Sequence, residues 1–308
     1  MKKIWRYLKQ HIQQDFNWGH YTFIFFFLAV SLTFNYAIDL QNHYLASLNG
    51  YLKFVGFFLL YATAYFTATS SYAHFYKRKD IFNSKDFWIK SALMLIVLTR
   101  DNSTQFLQSI IGRCFPHEIT FWVNSIAYHL NSVFTIVIPL LVYYIIKDKN
   151  EGHVYGLRFN HIDFRPYFLM LVLMMPLIII ASYDQSFLYQ YPRYKPSSAY
   201  QYLGIPQWII TIVYELAYGS EFISVELLFR GFLVIGMMSI LGRNAVLTMA
   251  VVYCFLHFGK PPGEAVSSIF GGYILGVIAY ETKSIWGGII IHIGVAWSME
   301  LAAYLQKA

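Results

Sequence analysis

The stretch that decides the fold, Trp208–Leu241, reads WIITIVYELAYGSEFISVELLFRGFLVIGMMSIL. It is apolar over most of its 34 residues, yet it contains three glutamates and one arginine. A straight helix of this length would measure about 50 Å, whereas about 20 residues are enough to cross a bilayer core. The stretch is too long for one perpendicular span and too short for two, so we expect the helix to break at Gly219–Ser220.

The composition of the whole chain indicates a membrane protein. Of its 308 residues, 57% are hydrophobic and only 13% are charged. Soluble domains have about 25% charged residues, and we find no polar stretch long enough to form one. The net charge of +7 does not indicate a nucleic-acid-binding protein, because the Lys and Arg residues cluster in loops between apolar runs.

Nine apolar runs predict an all-α, polytopic membrane helix bundle with eight or nine transmembrane helices. Phe87–Thr99 is the weakest run. The nine are Tyr21–Ile38, Val55–Ala73, Phe87–Thr99, Ile119–Ile146, Tyr167–Ser182, Trp208–Leu241, Ala245–Phe258, Val266–Tyr280 and Ile285–Leu305. The segments that face inward when the N-terminus is inside carry about twice as many Lys and Arg as the outer ones. We therefore expect a cytoplasmic N-terminus, in a bacterial plasma (inner) membrane.

Two further features have a structural and a functional interpretation. The connection Tyr183–Pro206 is rich in tyrosine and proline, which favours an interfacial aromatic belt, or alternatively a cap over a site. Asn124, His129 and Asn131 lie on one predicted helix, and we interpret them as interhelical hydrogen-bonding groups.

Ionisable residues are concentrated in the apolar runs of the C-terminal third. Glu226 precedes Arg230 by four residues, the favourable helical order for an ion pair. His257 and His292 follow on the next runs, where a histidine often serves only to hydrogen-bond neighbouring helices. Together, one carboxylate and two imidazoles could activate water and stabilise an oxyanion. The same three side chains, Glu226, His257 and His292, could instead bind zinc.

Three motifs in this region resemble a known family. They are VELLFRG at Val225–Gly231, YCFLH at Tyr253–His257 and SIWGGIIIH at Ser284–His292. They are similar to the Glu-Glu-x-x-x-Arg, Phe-x-x-x-His and His-x-x-x-Asn/Asp motifs of the CPBP family of intramembrane endopeptidases. That family includes the type II CAAX prenyl proteases and bacteriocin-processing (Abi) proteins.

The resemblance runs from about Tyr155 to the C-terminus. We therefore divide the chain into residues 1–150, with about four membrane helices of unknown role, and a CPBP-like core at residues 151–308. The resemblance implies that Arg230 orients the glutamate and that His292 stabilises the oxyanion. For an active endopeptidase we expect Glu226 or Glu221 to activate water with His257.

The motifs also depart from the family pattern. Val225 stands where the family has its first Glu, the proposed base, and Ala296 stands where it has Asn or Asp. Tyr253 replaces the Phe of the second motif. Glu221 precedes Val225 by one helical turn and lies on the same face, so we consider it as a substitute base.

Three hypotheses follow for the function. The first is an endopeptidase that hydrolyses a membrane-associated or lipidated peptide. The second is a catalytically impaired pseudo-protease that binds a membrane peptide or protein partner. The third, a transporter with a proton relay, ranks last because the sequence shows no paired half-repeats.

Overall fold

The computed structural model describes residues 2–104, 106–111, 114–149, 152–158 and 163–307, and every regular element within them is helical. The α-helices are α1 Lys2–Asp15, α2 Trp18–Ile38, α3 Gly50–Phe75, α4 Lys85–Ser103, α5 Phe106–Ile111, α6 His117–Ser132, α7 Ile138–Tyr143, α8 Arg165–Ala181, α9 Gln185–Gln190, α10 Ala199–Leu203, α11 Gln207–Glu226, α12 Met238–Leu241, α13 Ala245–Leu256, α14 Pro262–Thr282 and α15 Trp286–Lys307. Short 3₁₀ turns lie at Lys79–Asn83 and Gly242–Asn244. Wider π-helical segments lie at Leu40–Leu45, Val133–Val137, Tyr144–Asp148 and Leu227–Gly236.

The predicted all-α membrane bundle is confirmed, but the number of spans is not. Each of the nine predicted runs overlaps a helix. Within the described residues, six helical stretches are long and apolar enough to cross a membrane: Trp18–Ile38, Gly50–Phe75, His117–Asp148, Met238–Leu256, Pro262–Thr282 and Trp286–Lys307. Arg165–Ala181 is a shorter apolar helix. The count of eight or nine spans stays a prediction. So do the cytoplasmic location of the N-terminus and the assignment to a bacterial membrane.

The helix break expected at Gly219–Ser220 is wrong. α11 continues through both residues to Glu226, and the π-helical segment follows directly. Gly219 instead lies against α15, where a Cβ atom would come within 3.1 Å of the Trp297 ring. The missing side chain therefore allows two helices to approach closely, and the backbone hydrogen bonds of α11 are kept.

One hydrophobic core joins the two halves of the chain. α13 is buried from Ala245 to Phe255 and packs between α3 and α14. The main cluster of buried side chains contains Tyr61 and Met94 from the first half together with Phe229 from the second. The domain boundary predicted at residues 150 and 151 lies outside the described residues, and the division itself stays a prediction.

The first helix lies on α14 by one face only. Ile4, His11 and Asp15 are buried, whereas Trp5 is 71% exposed. The Asp15 carboxylate accepts a hydrogen bond of 3.0 Å from the Tyr21 hydroxyl. A helix with one buried face and one exposed face is typical of a helix that lies along a membrane interface.

Candidate active site

Tyr253 is the common neighbour of the residues that the motifs single out. The Cζ atom of Arg230 lies 4.3 Å from the centre of its ring, and the ring of His257 lies 4.5 Å away. The Tyr253 hydroxyl is 3.2 Å from Nε2 of His292. In the sequence, Tyr253 stands out only as a variant of a motif residue. Its hydroxyl, which the Phe of the family motif lacks, is the signal that points to it.

Glu226 has no exposed surface and joins this cluster from the last residue of α11. Its Oε1 atom is 2.9 Å from Nη1 of Arg230 and 3.1 Å from Nδ1 of His292. The guanidinium is close enough for an ion pair, although its N–H groups are not aligned for a good hydrogen bond. A buried carboxylate needs such partners, because leaving it unpaired would cost several kcal/mol of desolvation.

The partners of His292 determine its tautomer. A carboxylate can only accept, so Nδ1 of His292 carries the proton and donates to Glu226. Nε2 is then an acceptor for the Tyr253 hydroxyl. The three side chains form one directed chain of hydrogen bonds, from the phenol through the imidazole to the carboxylate.

His257 is oriented by the backbone and not by Glu226. Its Nδ1 atom lies 2.8 Å from the carbonyl oxygen of Tyr253, one turn earlier in the chain. A carbonyl oxygen only accepts, so Nδ1 donates and Nε2 keeps a lone pair. A neutral imidazole with a free lone pair can take up a proton.

Gly287 and Gly288 allow α15 to approach the cluster. A Cβ atom at position 287 would overlap the ring of Tyr167, and one at position 288 would overlap the Oε2 atom of Glu226. Oε2 is buried and has no hydrogen-bond partner among the described residues. Gly288 thus leaves the space that the Glu226 carboxylate occupies, and Gly287 leaves room for the Tyr167 ring.

Glu221 does not join this cluster. Its carboxylate accepts a hydrogen bond of 2.6 Å from Nδ1 of His129 on α6, and the other ring nitrogen of His129 lies 3.1 Å from the Tyr214 hydroxyl. Five residues separate Glu221 from Glu226, which places them on different faces of α11. The interpretation of His129 as an interhelical hydrogen-bonding residue is confirmed, as is that of Asn131, which donates to the Thr104 carbonyl.

The two positions that depart from the family pattern lie in apolar surroundings. Val225 packs against the main core. Ala296 is 4% exposed and lies in a cluster with Tyr214 and Tyr218. The ring of Phe222, at the border of that cluster, lies 4.4 Å from the ring of His292. Aromatic side chains therefore fill the region where the family motif would place an amide or a carboxylate.

The geometry does not fit a zinc site made of Glu226, His257 and His292, the alternative that the sequence left open. Among the described residues, no group of three or more His, Cys, Asp or Glu side chains is arranged to hold a metal ion. His257 directs Nδ1 at a backbone carbonyl, while His292 directs Nδ1 at the carboxylate itself. We therefore derive no step through a metal.

A comparison with family models supports the motif assignment. The model described as "Type II CAAX prenyl endopeptidase Rce1-like" matches residues 201–298, which include Glu226, Arg230, His257 and His292. No curated protein and no solved structure matches the chain. Together with the six apolar helices, the match supports an integral membrane protein. The resemblance inferred from the three motifs is confirmed: residues 201–298 are similar to the type II CAAX prenyl endopeptidases of the CPBP family.

Proposed function

We propose that the chain is an intramembrane endopeptidase in which Glu226 is the water-activating carboxylate. One observation carries this proposal. Arg230 and His292 both hold the Oε1 atom of Glu226, whereas the buried Oε2 atom has no protein partner in the described part of the chain. An oriented carboxylate with one free oxygen is the arrangement that a general base requires.

Hydrolysis consumes one water molecule. Oε2 of Glu226 takes a proton from a water molecule, and the hydroxide attacks the scissile carbonyl carbon. The resulting tetrahedral intermediate collapses as the C–N bond breaks, and the proton passes to the leaving amine. Arg230 fixes the position of the carboxylate throughout, which is the role that the resemblance implies for it.

Tyr253 supplies a group that can compensate for Ala296. The water proton stays on Glu226, and His292 keeps its proton on Nδ1. The Tyr253 hydroxyl turns from Nε2 of His292, 3.2 Å away, to the developing oxyanion and donates to it. Nε2 of His257, whose ring lies 4.5 Å from that of Tyr253, is a second proton acceptor. Donors directed at an oxyanion in a dry site contribute strongly to catalysis.

The substrate class follows from the surroundings of the site. Glu226 and Arg230 are almost completely buried within an apolar helix bundle, and the His292 side chain is 17% exposed. A peptide that reaches this site must be membrane-associated or carry a lipid at its end. We therefore propose that the enzyme cleaves a peptide bond in such a segment.

The test uses the full chain in liposomes with a library of membrane peptides, half of them prenylated near the C-terminus. Mass spectrometry identifies cleavage products. We expect cleavage by the wild type and its loss in Glu226→Gln and His257→Ala. Glu221→Gln is the matched control, because it changes the same group on the same helix but contacts His129 instead. Cleavage that survives in Glu226→Gln, or is lost equally in the control, would contradict the assignment of the base.

A second candidate function is peptide binding without cleavage. The observation in its favour is the aromatic cluster over Ala296, with the Phe222 ring against His292. A pseudo-protease predicts no product from the wild type and equal co-purification of the same peptide with the wild type and Glu226→Gln. The library experiment therefore separates the two functions.

A further inference from the structure

A polar cavity lies away from the Glu226 cluster, between α6, α11 and the connection that follows α8. Its volume is about 400 Å³. Two cations line it, Arg193 and Lys195, together with the amides of Gln108 and Gln190 and tyrosine hydroxyls such as that of Tyr214. No carboxylate belongs to its lining among the described residues. A cavity lined by donors and positive charge favours an anion as its ligand.

Arg193 is held in place through its backbone. The Glu300 carboxylate accepts the backbone N–H of Arg193 at 2.7 Å and that of Tyr194 at 3.2 Å. Glu300 therefore fixes the loop through backbone N–H groups, and its charge and that of Glu221 act on Arg193 only from beyond ion-pair distance. In the described part of the chain no carboxylate lies within ion-pair distance, 4.0 Å, of that guanidinium, whose side chain contacts the Tyr128 hydroxyl. Most of its five N–H donors remain available to a ligand.

The nearest acidic residue in the wall is already engaged. Glu221 accepts from His129, and it is the His129 ring that lines the cavity. Glu221 itself is not part of the lining. The second nitrogen of His129 lies 3.1 Å from the Tyr214 hydroxyl, which also lines the cavity. This arrangement keeps negative charge out of the cavity surface.

The position of the cavity indicates which kind of anion it binds. The connection that forms one wall carries exposed aromatic residues, with Tyr183 70% and Tyr189 93% exposed, and Trp208 follows at 63%. Exposed tyrosine and tryptophan at the ends of apolar helices are typical of the headgroup region of a bilayer. The aromatic belt and the cap, the two interpretations of this connection, are thus compatible. Tyr183 and Tyr189 are exposed, whereas Arg193 and Lys195 line the cavity.

We propose that this cavity binds the phosphate group of an anionic membrane lipid. Arg193 is the main contact, since a guanidinium matches phosphate oxygens with two parallel hydrogen bonds. Lys195 adds charge at the rim, and the amides and hydroxyls satisfy the remaining oxygens. The site is separate from Glu226, and the proposal does not depend on proteolysis.

The test measures lipid retained by the full chain. The protein is purified in mixed micelles that contain phosphatidylglycerol or phosphatidylcholine, and native mass spectrometry counts the bound lipid. We expect the wild type to retain phosphatidylglycerol preferentially, and the pair Arg193→Gln with Lys195→Gln to weaken this retention by roughly tenfold. Lys195→Glu alone reverses one of these charges at an exposed position, and it should also weaken the retention of phosphatidylglycerol.

The matched control is Lys77→Gln with Lys79→Gln, which removes two exposed positive charges outside the cavity. This control variant should keep its preference for phosphatidylglycerol over phosphatidylcholine. Equal retention of both lipids by the wild type, or an equal loss in the control, would overturn the proposal. Inorganic phosphate is added as a competitor. If it binds at Arg193 while no lipid is retained, the site belongs to a soluble phosphate compound and the lipid assignment is wrong.

Discussion

The Oε2 atom of Glu226 lies against the backbone of Gly288, in the space that any larger residue at position 288 would need for its Cβ atom. The contact joins the end of α11 to the first turn of α15. It explains why the third motif contains glycines as well as its histidine. It also makes the position of the carboxylate sensitive to one methyl group.

Gly288→Ala should displace the Glu226 carboxylate and reduce activity by at least about tenfold, because catalysis tolerates errors of only ~1 Å. Overpacking should also lower the free energy of unfolding by about 1–3 kcal/mol. Peptide cleavage and thermal unfolding in detergent measure the two effects. Gly271→Ala on α14 is the control, since a Cβ atom there meets nothing within 4 Å. Comparable losses in both variants would argue against a specific contact.

Tyr253→Phe removes the hydroxyl that contacts His292 but keeps the ring under Arg230. We expect the rate of cleavage to fall by about tenfold or more while the fold is retained. The measurement is the turnover rate at saturating peptide, with Tyr304→Phe, at an exposed position, as the control. An unchanged rate would contradict the role of the Tyr253 hydroxyl as a donor to the oxyanion.

Gly219→Ala tests the continuity of α11. A hinge at this position would make the substitution harmful, whereas a continuous helix gains about 1 kcal/mol from alanine. The new methyl group would lie 3.1 Å from Trp297, a half-exposed ring that can shift slightly. We therefore expect stability to change by less than about 1 kcal/mol and activity to stay within about twofold. A severe loss of stability or of activity would favour a functional hinge at Gly219.

His11 and Asp15 give the docking of α1 two opposite pH dependences. Burial, reinforced by the nearby charge of Arg243, lowers the pKa of His11 to about 4 from its ordinary value of 6.5. The docked helix then binds fewer protons than the undocked one, so docking strengthens as the pH rises from about 4 to 6.5. Burial raises the pKa of Asp15 to about 6 from 3.8, although the Tyr21 hydrogen bond opposes the shift. Docking through Asp15 therefore weakens as the pH rises from about 4 to 6.

The two effects partly cancel in the wild type, and single variants should reveal them. Asp15→Asn leaves only the histidine effect, so α1 should be better protected at pH 6.5 than at pH 4.5. His11→Gln leaves only the carboxyl effect, with the reverse order. Hydrogen exchange of the α1 amides, corrected for the intrinsic pH dependence of exchange, is the measurement. If the protection of α1 changed with pH in the same direction in both variants, the opposite pH dependences assigned to His11 and Asp15 would be wrong.

The sequence by itself determined the helical membrane bundle and the family resemblance. Long apolar runs must be helical in lipid, because every backbone hydrogen bond has to be satisfied within the segment. The order and spacing of the motifs around Glu226, His257 and His292 indicated the core that the family comparison then matched at residues 201–298. These properties are local, since they depend on composition and on separations of a few residues along one helix.

Only the tertiary structure decided which groups meet. It placed Glu221 on His129 of another helix, brought the Tyr253 hydroxyl to His292, and used Gly219 and Gly288 for close helix contacts. It also created the cavity around Arg193, whose lining comes from two separate segments, residues 108–129 and 189–214. The physical reason is that helical periodicity gives the face of a helix but not its partner. Partners are set by packing between helices, and packing depends on shapes distributed over the whole chain.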